Sequence, residues 1–237
     1  MSKGVLYLIP TTIADGNAPE VLPPQIQNHL TEVDFFMVEN IRTTRRFLSS
    51  LKIFKSIEYL ELKELNKDTP DSEIQSFIKE ILIGKTGAIL SESGCPGIAD
   101  PGSRAVLLAH KSDIKVIPLV GPSSIVLALM ASGLNGQQFA FHGYLPINSN
   151  ECAKKIIELE KESALKNQTQ LFIETPYRNE RIFLQLLKNL KTTTLLSIAC
   201  DLTGPSEQIH TQSVAQWKAK KPVLEKSPMV FSFLAQT

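Results

Sequence analysis

The chain has 237 residues, 43% of them hydrophobic, with a formal net charge of +1 at neutral pH. That length buries a substantial core, either as one large α/β domain or as two small ones. The near-zero charge excludes attachment to nucleic acid by bulk charge alone and leaves only a local basic patch available for that purpose.

Val5-Leu6-Tyr7-Leu8-Ile9 is a continuous apolar run stopped by Pro10, the pattern of a central parallel strand. A polar loop over residues 11–17 follows, then a helix over 25–31 entered through Pro23-Pro24. Residues 35–38 read as a second strand, ending at Glu39. Residues 43–51 read as a basic helix, associated with Arg42, Arg45 and Arg46, and residues 57–62 as a third strand. The next helix opens at Thr69-Pro70, where threonine suits the capping of free amides and proline the first helical position. Ile74, Phe77, Ile78, Ile81 and Leu82 form its apolar face, and Gly84 ends it. A strand over 87–90, a helix over 103–109, a strand over 115–120 and a helix over 125–132 follow.

The second half gives a strand over 139–144, a charged helix over 151–166 and a strand over 171–174. A helix with Ile182, Leu186, Leu187 and Leu190 inward comes next, then a strand over 194–199. A β segment over 206–214, a short helix holding Trp217 and a strand over 229–233 close the chain. The alternation in the first half implies a parallel sheet. The second half implies a mixed one. The expected fold is therefore α/β with two α/β domains, 1–120 and 121–237.

Two loops stand out. Ser91-Glu92-Ser93-Gly94-Cys95-Pro96-Gly97 and Gly121-Pro122-Ser123-Ser124 each follow a strand and precede a helix. In open α/β sheets ligands bind at that edge. Glycine lets a ligand approach the backbone, and proline stiffens the loop. Neither loop is a Gly-x-Gly-x-x-Gly dinucleotide fingerprint, and no Walker loop occurs. Cys95, Cys152 and Cys200 are scattered and odd in number, which argues against a disulfide framework and a zinc site. His29, His110, His142 and His210 show no ligand spacing, so no metal is expected. The N-terminus lacks the features of a signal peptide, and no apolar run reaches the length of a membrane span. The expectation is a cytoplasmic protein with no membrane partner.

Several ordered segments carry a resemblance. They are Leu6-Tyr7-Leu8-Ile9-Pro10-Thr11, Ser91-Glu92-Ser93-Gly94-Cys95-Pro96 with Asp100-Pro101-Gly102, and Pro118-Leu119-Val120-Gly121-Pro122-Ser123. Ala131-Ser132-Gly133-Leu134, Phe141-His142-Gly143-Tyr144-Leu145-Pro146, Glu174-Thr175-Pro176-Tyr177-Arg178 and Leu202-Thr203 with Glu207 and Ile209-His210 continue it. Across nearly the whole chain these segments resemble tetrapyrrole-methylase-type S-adenosylmethionine methyltransferases, nearest to the 16S ribosomal RNA cytidine 2'-O-methyltransferase I family. The resemblance implies a homodimer, with S-adenosyl-L-methionine folded in a cleft between two α/β domains. It implies cofactor contacts from Pro10, Ser91, Glu92, Ser93, Ile98, Ser123, Ser124, Glu174, Leu202 and Pro228.

The chain also departs from the family's pattern. The first loop, usually Thr-Pro-Ile-Gly-Asn-Leu, reads Thr11-Thr12-Ile13-Ala14-Asp15-Gly16-Asn17. Glu-Asp-Thr-Arg reads Glu39-Asn40-Ile41-Arg42, and Asp-Pro-Gly-Tyr-Arg reads Asp100-Pro101-Gly102-Ser103-Arg104. Arg-Glu-Leu-Thr-Lys reads Cys200-Asp201-Leu202-Thr203-Gly204, which removes two basic residues. Each lost cation removes a possible phosphate contact. The chain ends at Thr237, short of the extension that longer members carry.

A ribose hydroxyl is a poor nucleophile, so a carboxylate base would help its methylation. Glu39, at a strand end beside Arg42, is the first candidate, and pairing of Glu39 with Arg42 or Arg45 is the structural alternative. Asp100 reads as a turn-former that accepts loop amides. Glu174 reads as cofactor-facing or as a base, Arg104 and Arg178 as anion contacts or as solvated side chains, and Arg42, Arg45 and Arg46 as a basic patch or an exposed helix face. The expected substrate is ribosomal RNA or the small ribosomal subunit. Another RNA, a protein or a tetrapyrrole-like molecule, and a cofactor-binding module without activity, are the alternatives.

Overall fold

The computed structural model describes residues 2–236, and the chain divides into two compact units, Met1–Ser123 and Ser124–Thr237. The first unit runs β1 (Val5–Ile9), α1 (Ala18–Val21), α2 (Gln25–Thr31), β2 (Phe35–Val38), α3 (Ile41–Ser50), β3 (Glu61–Glu64), α4 (Asp71–Leu82), β4 (Gly87–Leu90), α5 (Ser103–Lys111) and β5 (Lys115–Pro118). Its sheet has the order β3-β2-β4-β1-β5 with every pair parallel. Strands buried on both faces need apolar residues at successive positions rather than alternation. Phe35 and Met37 accordingly pack with Ile74, Phe77 and Ile81 of α4. Phe36 and Val38 point the other way and pack with Ile26 and Leu30 of α2 and Leu48 of α3. With all strands parallel, the loops after β1, β2, β4 and β5 leave from one edge of the sheet.

Three details differ from the sequence reading. The third strand is Glu61–Glu64 rather than 57–62. It is an edge strand with an exposed-to-intermediate face, and Ile57 and Leu60 instead pack under it with the α2–α3 core. Thr69 does not cap α4. Its hydroxyl accepts from the Asn66 amide at 2.9 Å, and Pro70 itself occupies the cap position. Asp71 and Glu73 in the first turn suit the positive end of the helix instead. A short helix, α1, interrupts the stretch between the polar loop and α2.

The second unit runs α6 (Ser124–Ser132), β6 (Phe139–Phe141), α7 (Ser149–Lys166), β7 (Thr169–Glu174), α8 (Asn179–Asn189), β8 (Leu195–Cys200), β9 (Gln208–Ser213), α9 (Val214–Ala219) and β10 (Met229–Leu234). Its sheet is mixed, with the order β6-β7-β10-β8-β9 and only β6–β7 parallel. Phe172 stacks on Phe231 with ring centroids 5.5 Å apart, and Phe183 meets Trp217 edge-on at 5.7 Å. The Trp217 indole donates to the Leu196 carbonyl at 2.8 Å, so its polar atom is satisfied inside the core. Glu160, buried on α7, accepts from the Lys191 amide at 2.7 Å and from the Thr194 hydroxyl. That carboxylate ties α7 to the turn before β8.

Candidate active site

Three of the strand-end loops are fastened to one another. The Thr11 amide donates to the Gly94 carbonyl at 2.9 Å. The Ser91 hydroxyl donates to the same carbonyl at 2.8 Å, and the Thr11 hydroxyl donates to the Ser91 carbonyl at 3.3 Å. The Cys95 thiol reaches the Pro122 carbonyl at 3.3 Å, joining the β4 loop to the β5 loop. Burial pushes that thiol's pKa up, so it acts as a weak donor and not as a nucleophile. The glycines are required by this closeness. Gly94 has φ +75, and a Cβ there would stand 3.1 Å from the Pro122 carbonyl oxygen. A Cβ on Gly121 would stand 2.2 Å from Cγ of Pro10. Gly121→Ala is therefore expected to cost about 2 kcal/mol by overpacking, measurable by thermal melting. Unchanged melting would show that the two loops part freely.

The β2 exit supplies the charged groups. Asn40 caps α3, its side-chain oxygen accepting from the amides of Arg42 at 2.9 Å and Thr43 at 3.3 Å. Asn40→Ala is expected to cost about 1 kcal/mol by urea unfolding; a loss of less than a few tenths would mean the cap is dispensable. The Thr43 hydroxyl lies 3.0 Å from Glu92 Oε1, linking α3 to the β4 loop. Asp100 accepts from the amides of Gly102 at 2.9 Å and Gly97 at 3.3 Å, the loop-turn role its sequence position suggests. Glu39 stands half-buried among these acids and pairs with neither Arg42 nor Arg45. Burial raises its pKa first, and the negative charges of Asp100 and Glu92 raise it further. Arg42, Arg45 and Arg46 are exposed on α3 and make no ion pair among the described residues.

The other candidate positions sort by unit. In the first, Pro10 and Ser91 are buried in the loop junction, Glu92, Ser93 and Ile98 are exposed on the β4 loop, and Ser123 ends the unit. Around Gly97, at φ +81, no atom lies within 4 Å of where a Cβ would stand, so the backbone there is open to close approach. Arg104 is not a free cation: it pairs with Asp71 and donates to the Thr69 carbonyl at 2.9 Å.

In the second unit, Ser124 opens α6, and Glu174, Leu202 and Pro228 come together at one end of the sheet. Met229 pairs with both Glu174 and Cys200, and the Asp201 amide donates to the Pro228 carbonyl at 3.4 Å. The Glu174 side chain is fully buried. One oxygen accepts from the Thr175 amide at 2.8 Å, and the other pairs with Arg178 at 2.9 Å. Arg178 also donates to the Leu145 carbonyl at 2.8 Å, so it is an internal strut and not a solvated anion contact. The loop that lacks the two basic residues is itself ordered. Asp201 (φ +50) accepts from the Ser206 amide at 2.9 Å, and a Cβ on Gly204 would stand 2.4 Å from that same carboxylate. Sequence reading did not find the Thr43–Glu92 link or the Cys95 clasp; a hydroxyl on the first turn of the basic helix and a thiol beside Gly-Pro are the only signals they leave.

Among the described residues no group of histidine, cysteine and carboxylate side chains is placed to hold a metal ion, and no helix is long and apolar enough to cross a membrane. No protein-family model matches the chain. Among solved structures, a uroporphyrin-III-C-methyltransferase from Thermus thermophilus matches with TM-score 0.57 at 19% identity, over 98% of this chain and 93% of that one. A conserved hypothetical protein from Aeropyrum pernix K1 matches with TM-score 0.66 at 13% identity, over 99% and 86%. Those likenesses concern the fold. In sequence, the chain is 31% identical to the ribosomal RNA small subunit methyltransferase I of Vibrio cholerae serotype O1, over 95% of this chain and 75% of that protein. It is 30% identical to the protein of the same name from Xylella fastidiosa, over 90% and 74%. A Leptospira biflexa relative of that name shares 29% over 97% and 90%. The chain belongs to the ribosomal RNA small subunit methyltransferase I family.

Proposed function

We propose that this chain is an S-adenosylmethionine-dependent methyltransferase that modifies the ribose 2'-hydroxyl of a cytidine in small-subunit ribosomal RNA. The observation that carries the reading is the carboxylate of Glu39, unpaired at a strand end beside the interlocked glycine-proline loops. The loops suit the cofactor. They offer backbone amides, carbonyls and hydroxyls, with open backbone at Gly97, and few charges. Pro10, Ser91, Ser93, Ile98 and Ser123 are the first-unit residues we assign to holding it, with Glu92 positioned by Thr43. Ser124, Leu202 and Pro228 are assigned from the second unit. There Glu174 acts by fixing the turn that follows it, since both its oxygens are engaged.

When bound, the cofactor supplies an activated methyl group on a sulfonium. The remaining work falls to the chain: to hold the acceptor hydroxyl in line, exclude water and take up its proton. Glu39 takes that proton at its carboxylate. Its raised pKa makes it a stronger base than an ordinary glutamate. The three unpaired arginines of α3 contact RNA phosphates, replacing the cations missing from the 200–204 loop. We also assign the homodimer and the cytoplasmic location that the family resemblance implies.

Transfer of labelled methyl from S-adenosylmethionine to small ribosomal subunits lacking this modification, with the labelled nucleotide mapped, tests the reading. Label on a cytidine ribose is expected; its absence with cofactor-binding protein would overturn the acceptor assignment. The triple change of Arg42, Arg45 and Arg46 to alanine should lower transfer and flatten its salt dependence by about three phosphate contacts. An unchanged salt slope would remove the patch from the RNA surface.

A further inference from the structure

The turn between β8 and β9 is strained at residues that gain nothing from strain. Asp201 stands at φ +50 and Thr203 at φ +64. Aspartate visits that left-handed region, but a β-branched residue there is a genuine outlier. The glycine of the turn, Gly204, does not take such an angle. A turn that only joined two strands would carry glycine or asparagine at 203, where φ +64 is relaxed. Strained backbone persists only where its surroundings over-determine it, and it concentrates at functional sites.

The surroundings here are specific. The Gly204 amide donates to the Asp201 carbonyl at 2.8 Å, and the Glu207 amide donates to the Gly204 carbonyl at 3.2 Å. The Thr203 amide donates to Glu207 Oε2 at 2.7 Å. Glu207 is exposed and makes no ion pair among the described residues, so holding that amide is the one bond its carboxylate makes to them. Between the two left-handed residues lies Leu202, only 5% exposed. Its amide and its carbonyl bond to no other described residue. Backbone groups of buried residues nearly always find a partner, and these two are left for a ligand.

We propose that Glu207 is a positioning residue for the cofactor: it holds the Thr203 amide, keeps the turn in its strained form and so keeps the Leu202 backbone open. The inference rests on the reading above that assigns Leu202 to the cofactor, and deepens it. The agent is the reach of the Glu207 oxygen rather than its charge, since a backbone amide needs an acceptor at one place.

The test is calorimetric titration of S-adenosylhomocysteine into wild type, E207Q, E207D and E207A. Glutamine keeps an acceptor oxygen at the same reach and loses the charge. Aspartate keeps the charge and withdraws the acceptor by one carbon. Affinity should fall about tenfold in E207A and E207D, the scale of one lost hydrogen bond to a charged group. E207Q should bind more tightly than E207D. Affinity equal to wild type in E207A and E207D overturns the proposal, even if their melting temperatures fall, because the brace would then serve the fold alone. So does E207D binding as tightly as E207Q, which would make charge the agent. Should the alanine variant misfold, the order of the other two still decides. No binding to wild type would end the cofactor reading and this inference with it. If wild type binds but transfers no methyl to ribosomal subunits, the acceptor assignment fails, and the Glu207 variants still decide this inference.

Discussion

Replacing Glu39 with glutamine should lower the methyl-transfer rate by about 10²- to 10⁴-fold, the range for loss of a general base. Affinity for S-adenosylhomocysteine should hold, because no hydrogen bond or ion pair joins Glu39 to the loop junction. The pH dependence gives the same assignment a second readout. A base works deprotonated, so the rate falls as pH drops through its pKa. Burial, then Asp100 and Glu92, lift that pKa above the ordinary 4.5, so the acid limb should lie above 4.5. Asp100→Asn keeps an acceptor for the Gly97 and Gly102 amides and removes one negative neighbour. Its acid limb should shift to lower pH. A glutamine variant with wild-type rate, or a limb that ignores Asp100, would end the case for Glu39 as the base.

Glu174→Ala should cost about 3 kcal/mol in urea unfolding, because it strands a mostly buried guanidinium. Arg178 stays held between the Leu145 carbonyl and an empty carboxylate position. The Thr175 amide loses its acceptor as well. Removing both charges together, in a Glu174→Ala and Arg178→Ala double variant, should recover part of the loss, which a double-mutant cycle measures. If the single variant loses under about 1 kcal/mol, water already shares the pair and Glu174 is free to meet a ligand.

Burial on both sides made the first sheet legible in the sequence. Phe35-Phe36-Met37-Val38 and Gly87-Ala88-Ile89-Leu90 are apolar at every position, so their bounds match the observed strands. The edge strand Glu61-Leu62-Lys63-Glu64 has no such signal, because its charges face solvent and α4. The apolar residues before it, Ile57 and Leu60, therefore drew the sequence reading a few positions too early. Thr69 looks like a cap by type, but local competition from the Asn66 amide takes its hydroxyl. The site divides in the same way. Glycine-proline loops announce themselves, since composition and position carry the signal. The fixed pair Glu174–Arg178 depends on which atoms meet, and no spacing rule encodes that.

The close seat of Gly204 against Asp201 has a consequence for engineering. The family pattern that the chain resembles has lysine at the position of Gly204, and placing one there looks like a simple gain of charge. Any side chain at 204 must first displace a carboxylate that the Ser206 amide holds in place. The two positions are therefore coupled: a side chain at 204 decides where the Asp201 carboxylate can rest. A library that varies 204 alone would read the cost of moving the Asp201 carboxylate off the Ser206 amide together with the effect of the added charge.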